Sequence, residues 1–139
     1  MYSPDYERQR TNRFPVLYLR HGSGDLETRW SRVGRAGVIL DSLLAQHKAV
    51  PMMSVMLNGY PSLMGSGRDD AGIEAVGRET LVDIVTFIDA HYRTKPTAQN
   101  RAIAGLSRGA GQAFVAGMNH PEVFSAVGAF SWAIFECRV

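Results

Sequence analysis

A single cysteine, Cys137, is all the thiol chemistry that the 139 residues offer. It excludes an intrachain disulfide framework and falls far short of a structural zinc site. Charge of one sign is equally scarce. The 15 Lys+Arg and 13 Asp+Glu leave a net charge of +2, and the basic residues are scattered rather than gathered on one face, so nucleic acid is not expected as a partner. No apolar run approaches a membrane-spanning length, and residues 1–13 are polar and charged, with no stretch that could serve as the core of a signal peptide. The expectation is a soluble chain with no membrane partner, in a compartment that the sequence leaves open. No metal and no cofactor is expected. The Asp69-Asp70 pair has no further ligands at suitable spacing and reads as a solvated loop.

What is present is an ordinary folded composition, 45% hydrophobic and 20% charged, with no internal repeat or low-complexity tract. It implies one domain or part of one. Short apolar runs alternate with stretches of helical spacing. Phe14 to Leu19 reads as a buried strand, with Pro15 at its start, that enters a turn at Arg20-His21-Gly22-Ser23-Gly24. Between Arg35 and His47, residues Ala36, Ile39, Leu40, Leu43 and Leu44 fall on one helical face. Met52 to Leu57 reads as a second strand, its methionines as core, followed by a surface loop over 58–71.

A helix over 79–92 faces Leu81, Ile84, Val85 and Ile88 inward. Arg101 to Ala104 reads as a short strand, Ala110 to Met118 as a helix and Ala126 to Phe130 as a strand. The order β-α-β-α-β-α-β predicts an α/β fold, a mostly parallel sheet with helices on both faces. Ligands bind such sheets at the carboxyl ends of the strands. His21-Gly22-Ser23-Gly24, Asn58-Gly59-Tyr60, Gly105-Leu106-Ser107 and Ser131-Trp132 would meet on that rim.

Gly105-Leu106-Ser107-Arg108-Gly109 matches G-x-S-x-G, a weak pattern by itself. Here an apolar strand runs into it and a helix of small residues runs out, the strand-turn-helix setting that exposes a nucleophilic serine. The alternative is a glycine-lined helix start with Ser107 as its cap. An ester carbonyl becoming tetrahedral needs two N–H donors. The amide of Arg108, at a helix N-terminus, would be one, and the amide of Ser23 in the glycine loop the other. The Arg108 side chain would also bring a cation to the cleft, favouring esters that carry an anionic group. His21 reads as a residue that orients its loop, His47 and His91 as solvated, and Trp30 and Trp132 as packing residues, with cleft lining the rarer alternative.

Taken in series, FPVLYLRHGSGD, Trp30 with VGRAGVILDSLLAQHKAVPMMSVMLNGY, LVDIVTFIDAHYRTKPTAQNRAIAGLSRGAGQAF and HPEVFSAVGAFS resemble the α/β-hydrolase-fold esterases. That family includes feruloyl esterases, enterochelin-type esterases, S-formylglutathione hydrolases and mycolyltransferases, and the resemblance is strongest to the feruloyl-esterase-like branch. It covers nearly the whole chain. It implies that Ser107 is the nucleophile and that the amides of Ser23 and Arg108 form the oxyanion hole. Four positions depart from the family pattern. Arg108 stands where Met is usual, Ala110 where Gly is usual, Arg20 for an apolar residue and Leu57 for a proline. Arg20, inside a buried strand, needs a partner or an exit to solvent.

The family triad runs Ser, then Asp or Glu, then His. After Ser107 the one histidine is His120, nearly 20 Å away along a helix rising about 1.5 Å per residue, and a base must lie within about 3 Å. The resemblance therefore makes residues 1–139 the central part of a single esterase domain. The N-terminal hairpin, whose end Tyr2 to Tyr6 resembles, and the C-terminal strands with the triad Asp and His are lacking. Two functional classes follow. One is a serine carboxylic-ester hydrolase acting on a small-molecule or carbohydrate-linked ester, inactive as this truncated chain. The other is a non-catalytic remnant or binding module. An exposed sheet edge would favour self-association.

Overall fold

The computed structural model describes residues 5–8, 10–58 and 75–132. Four strands, β1 (Val16–Arg20), β2 (Met53–Leu57), β3 (Arg101–Leu106) and β4 (Ala126–Phe130), form one sheet in the order β2-β1-β3-β4. Every pairing is parallel, so the residue at each strand's carboxyl end is brought level with its neighbour's. Arg20 is in register with Leu57 on one side and Gly105 on the other, and Leu106 with Phe130. The expected α/β arrangement is therefore present. β3 runs two residues further than the apolar run suggested, because Gly105 and Leu106 continue its ladder with β4. Phe14 lies outside β1, in an isolated bridge to Thr94.

Alternation along β1 separates the two faces. Val16 and Tyr18 point into a core with Met53, Leu57, Ile103 and Phe124, closed by Val85 and Ile88 of α4 (Val85–His91) and by Ala113 and Ala116 of α5 (Arg108–Asn119). Tyr18 and Ile103 are fully buried there. Leu19 and Ala104 face the opposite way, toward Ala36 of α3 (Ala36–Ala45) and Trp30 of α2 (Arg29–Arg32).

Several expectations need correction. Ile39 does not face the core: it is 54% exposed, as Val38 is at 64%, and only Ala36 of α3 is fully covered. Apolar periodicity marks a face but does not supply what covers it. The segment resembling the end of a hairpin contains instead a short helix, α1 (Asp5–Arg8). The Tyr6 ring anchors it, packed 5.5 Å from Phe14 with the Arg93 guanidinium 3.8 Å over its face. The helix expected over 79–92 starts earlier, and its first part, Glu79–Ile84, is wound as a π-helix before α4, with Val85 N–H donating to Thr80 O. The loop over 58–71, including Asp69-Asp70, lies outside the described residues after Asn58, as does Cys137.

Candidate active site

Ser107 stands between β3 and α5 with φ 55° and ψ −118°. That is a backbone region which side chains rarely enter and which persists only where the surroundings hold it. Two features hold it here. Its N–H donates to Phe130 O at 2.9 Å, tying the turn to the end of β4, and its carbonyl accepts from Ala110 N–H at 3.0 Å, closing the first turn of α5. The helix thus starts at once after the strand and leaves Ser107 exposed on the rim. As the residue before the helix, Ser107 makes no side-chain cap bond, which removes the capping alternative.

The two glycines of the motif are fixed by close approach. A Cβ at Gly105 would come within 2.1 Å of Gly109 O, and one at Gly109 within 2.4 Å of His21 O and 2.8 Å of Arg20 O. Any side chain would therefore push α5 off the sheet. The same contact seats the head of α5 on the end of β1, where the glycine loop begins. Gly22 lies against the Ser107 turn: a Cβ there would sit 3.5 Å from Ser107 Cβ. Asp25 N–H donates to Gly22 O at 3.3 Å and folds Ser23 and Gly24 into an exposed turn.

His21 is 1% exposed, and its Nδ1 lies 2.8 Å from Gly22 O. A carbonyl only accepts, so Nδ1 carries the proton and the ring braces its own loop, as the sequence suggested. The other histidines lie elsewhere. His120 follows α5, half-buried, and pairs with Glu122 at 2.9 Å, while His91 stacks on Phe87 and reaches Phe87 O; His91 and His47 are exposed. The Glu122 carboxyl is held below the usual range by a backbone N–H and by His120.

Trp132, just past β4, packs against α5. Its ring is 4.8 Å from Phe114, and its Nε1 stands 2.9 Å from where a Gly111 Cβ would be. Trp30 packs at 6.3 Å edge-on to Phe130 and belongs to the α3 face. Ser131 between β4 and Trp132 also has a positive φ, 51°.

Arg20 finds its partners inside the protein. Fully buried, it donates through Nη2 to Val76 O at 3.0 Å and to Thr80 Oγ1, and through Nη1 to Gln112 Oε1 at 3.4 Å. Burial lowers its pKa to about 10, with Glu79 opposing the shift and the charge of Arg108 adding to it. The Arg108 charge therefore acts on the interior. Sequence reasoning missed Val76, Thr80 and Gln112, whose link to Arg20 spans 56 to 92 residues of chain.

A parallel sheet with helices on both faces, a strained serine between the third strand and its helix, and a glycine loop beside it define the α/β-hydrolase fold. The chain matches the family model described as "Putative esterase" over residues 1–136 and belongs to that esterase family. It is 36% identical over 123 residues to an endo-1,4-beta-xylanase/feruloyl esterase of Xylanibacter ruminicola, covering 88% of this chain and 17% of that protein. Among solved structures it superimposes on a ferulic acid esterase with a TM-score of 0.84 and 31% identity, covering 94% of this chain and 52% of the other. It also superimposes on the ferulic acid esterase of Anaeromyces mucronatus in complex with ferulic acid, with a TM-score of 0.79 and 23% identity, over 88% and 48% of the two chains. The chain thus spans about half the length of the solved esterases it matches.

Among the described residues no helix is long and apolar enough to cross a membrane.

Proposed function

We propose that this chain carries the nucleophile of a serine carboxylic-ester hydrolase of feruloyl-esterase type, as the central part of one esterase domain. Ser107 is the nucleophile and the amides of Ser23 and Arg108 are the oxyanion donors. The observation that carries the reading is the strained Ser107 backbone at the strand-to-helix turn, with the Gly22 loop against it. Ser107 Oγ attacks the ester carbonyl carbon and its proton passes to a base. The carbonyl oxygen takes the negative charge between the two amides, of which Arg108's lies at the positive end of α5. Collapse expels the alcohol, which recovers the proton, and leaves an acyl-serine for water to hydrolyse.

No described histidine is placed to be that base. His21 braces its loop, and His47, His91 and His120 lie away from the turn. On this reading the base is supplied by sequence outside residues 1–139. An aromatic acyl group suits the site, because Trp132 and Phe114 meet in a tilted ring contact beside the first turns of α5; relatives named for ferulic acid support the same class.

The test compares residues 1–139 with the product of the complete reading frame, each assayed on an activated aryl ester and for fluorophosphonate labelling. The complete protein should turn over and lose activity with Ser107→Ala, while the 139-residue chain should be slower by at least about a thousandfold, as expected without a triad base. Equal turnover by the short chain would overturn the missing-base reading. Absence of Ser107-dependent turnover in the complete protein would favour a non-catalytic binding module.

A further inference from the structure

Arg20 occupies the last position of the central strand, where the pattern of β1 calls for an apolar side chain, and it is 0% exposed. A buried cation is costly to desolvate, and an apolar residue of similar volume would avoid the cost. Stability alone is therefore a weak reason for it.

Its location is specific. Arg20 pairs in register with Gly105, two residues before Ser107, and directly precedes His21-Gly22-Ser23. Its carbonyl is one of those on which Gly109 rests. Its guanidinium joins three segments. Nη1 bonds Gln112, which is 1% exposed and lies about one and a half turns along α5 from Ser107. Nη2 bonds Val76 O and Thr80 Oγ1, at the start of the π-wound stretch, where Thr80 Oγ1 also donates to Val76 O at 2.8 Å. A planar fork of donors suits such a junction better than the single ammonium of lysine.

We propose that Arg20 is a positioning residue for the nucleophile. By holding Gln112 on one side and Val76 and Thr80 on the other, it sets how the head of α5, with Ser107 and the Arg108 amide, sits over the end of β1 and the glycine loop. The proposal rests on Ser107 being the nucleophile. Small misplacements of reacting groups are expensive in rate, about a hundredfold for 1 Å, so the clamp acts on turnover and not on substrate affinity.

The test uses the protein expressed from its complete reading frame and compares wild type with Ser107→Ala, Arg20→Met, Arg20→Lys and Gln112→Leu. Each is measured for kcat and KM on an activated aryl ester, for active sites by fluorophosphonate titration, and for Tm. Arg20→Met and Gln112→Leu should lower kcat per titrated site by about tenfold or more with KM within about twofold, and Arg20→Lys should recover part of it. Gln112→Leu keeps β1 and its cation, and so carries the test if Arg20→Met does not fold. Unchanged kcat per site with only Tm reduced would make Arg20 a structural residue and overturn the proposal. Wild-type turnover that survives Ser107→Ala, or is absent altogether, would remove the nucleophile reading, and the proposal with it.

Discussion

The two faces of the sheet are built to different depths. On the α4/α5 face, Val16, Tyr18, Met53, Leu57, Val85, Ile88, Ile103, Ala113, Ala116 and Phe124 belong to one buried core. On the α3 face, only Leu19, Ala36 and Ala104 among the described residues are buried together, and Val38 and Ile39 of α3 stand exposed. The Ser107 turn belongs to the deep face, because α5 starts from Ser107 and Gly109 seats it on β1. The difference shows that the turn is seated mainly through the deep face, by two glycines and one well-packed helix, and is tied across to the end of β4 through Phe130 O.

The sharpest way to break that comparison is at the glycines. Gly109→Ala places a methyl 2.4 Å from His21 O, against backbone that cannot yield cheaply. It should cost more than about 3 kcal/mol or abolish folding, read by urea denaturation followed by circular dichroism. A folded Gly109→Ala protein of wild-type stability would show that α5 is not seated as described.

Paired truncations sharpen the contrast between the faces. Ile103→Ala, at a fully buried position, should cost about 3 kcal/mol, whereas Ile39→Ala, at 54% exposure, should change stability by less than about 0.5 kcal/mol. Equal losses in denaturant midpoint would mean that the α3 face is covered in solution.

The smallest effect is electrostatic and lies at the far end of α5. Glu122 is depressed by a backbone N–H and by His120. The group contributes above the pKa it has unfolded, and its contribution is lost as pH falls through the lower folded value. On so exposed a site the pair is screened. An NMR titration should show a Glu122 midpoint below the ordinary carboxylate range that moves up in His120→Ala, with no measurable change in Tm at neutral pH.

Much of this was legible in the sequence for identifiable reasons. Continuous apolar runs mark β1 to β4 because the strands of a parallel sheet are flanked by helices on either face and have no dedicated polar side, although β4 itself is mostly exposed. Gly105 and Gly109 revealed the turn because no other residue fits. Arg20 was legible only as a problem, since its partners Val76, Thr80 and Gln112 meet it through tertiary contact. Ile39 was misplaced because periodicity is blind to whether a covering layer exists. The π-wound stretch had no signature, as its apolar spacing fits an α-helix equally well.

The strand order also dictates a timetable. β1 lies between β2 and β3, so as the chain is made its first partner emerges some 35 residues later and its second only after residue 101. Ser107 waits longer still, because the acceptor of its N–H is the carbonyl of Phe130, at the end of the last strand. Contacts so distant along the chain form slowly. The Ser107 turn is thus among the last parts of the sheet to be completed, and a chain that stops before residue 130 would have both partners of β1 but lack the carbonyl that accepts from Ser107 N–H.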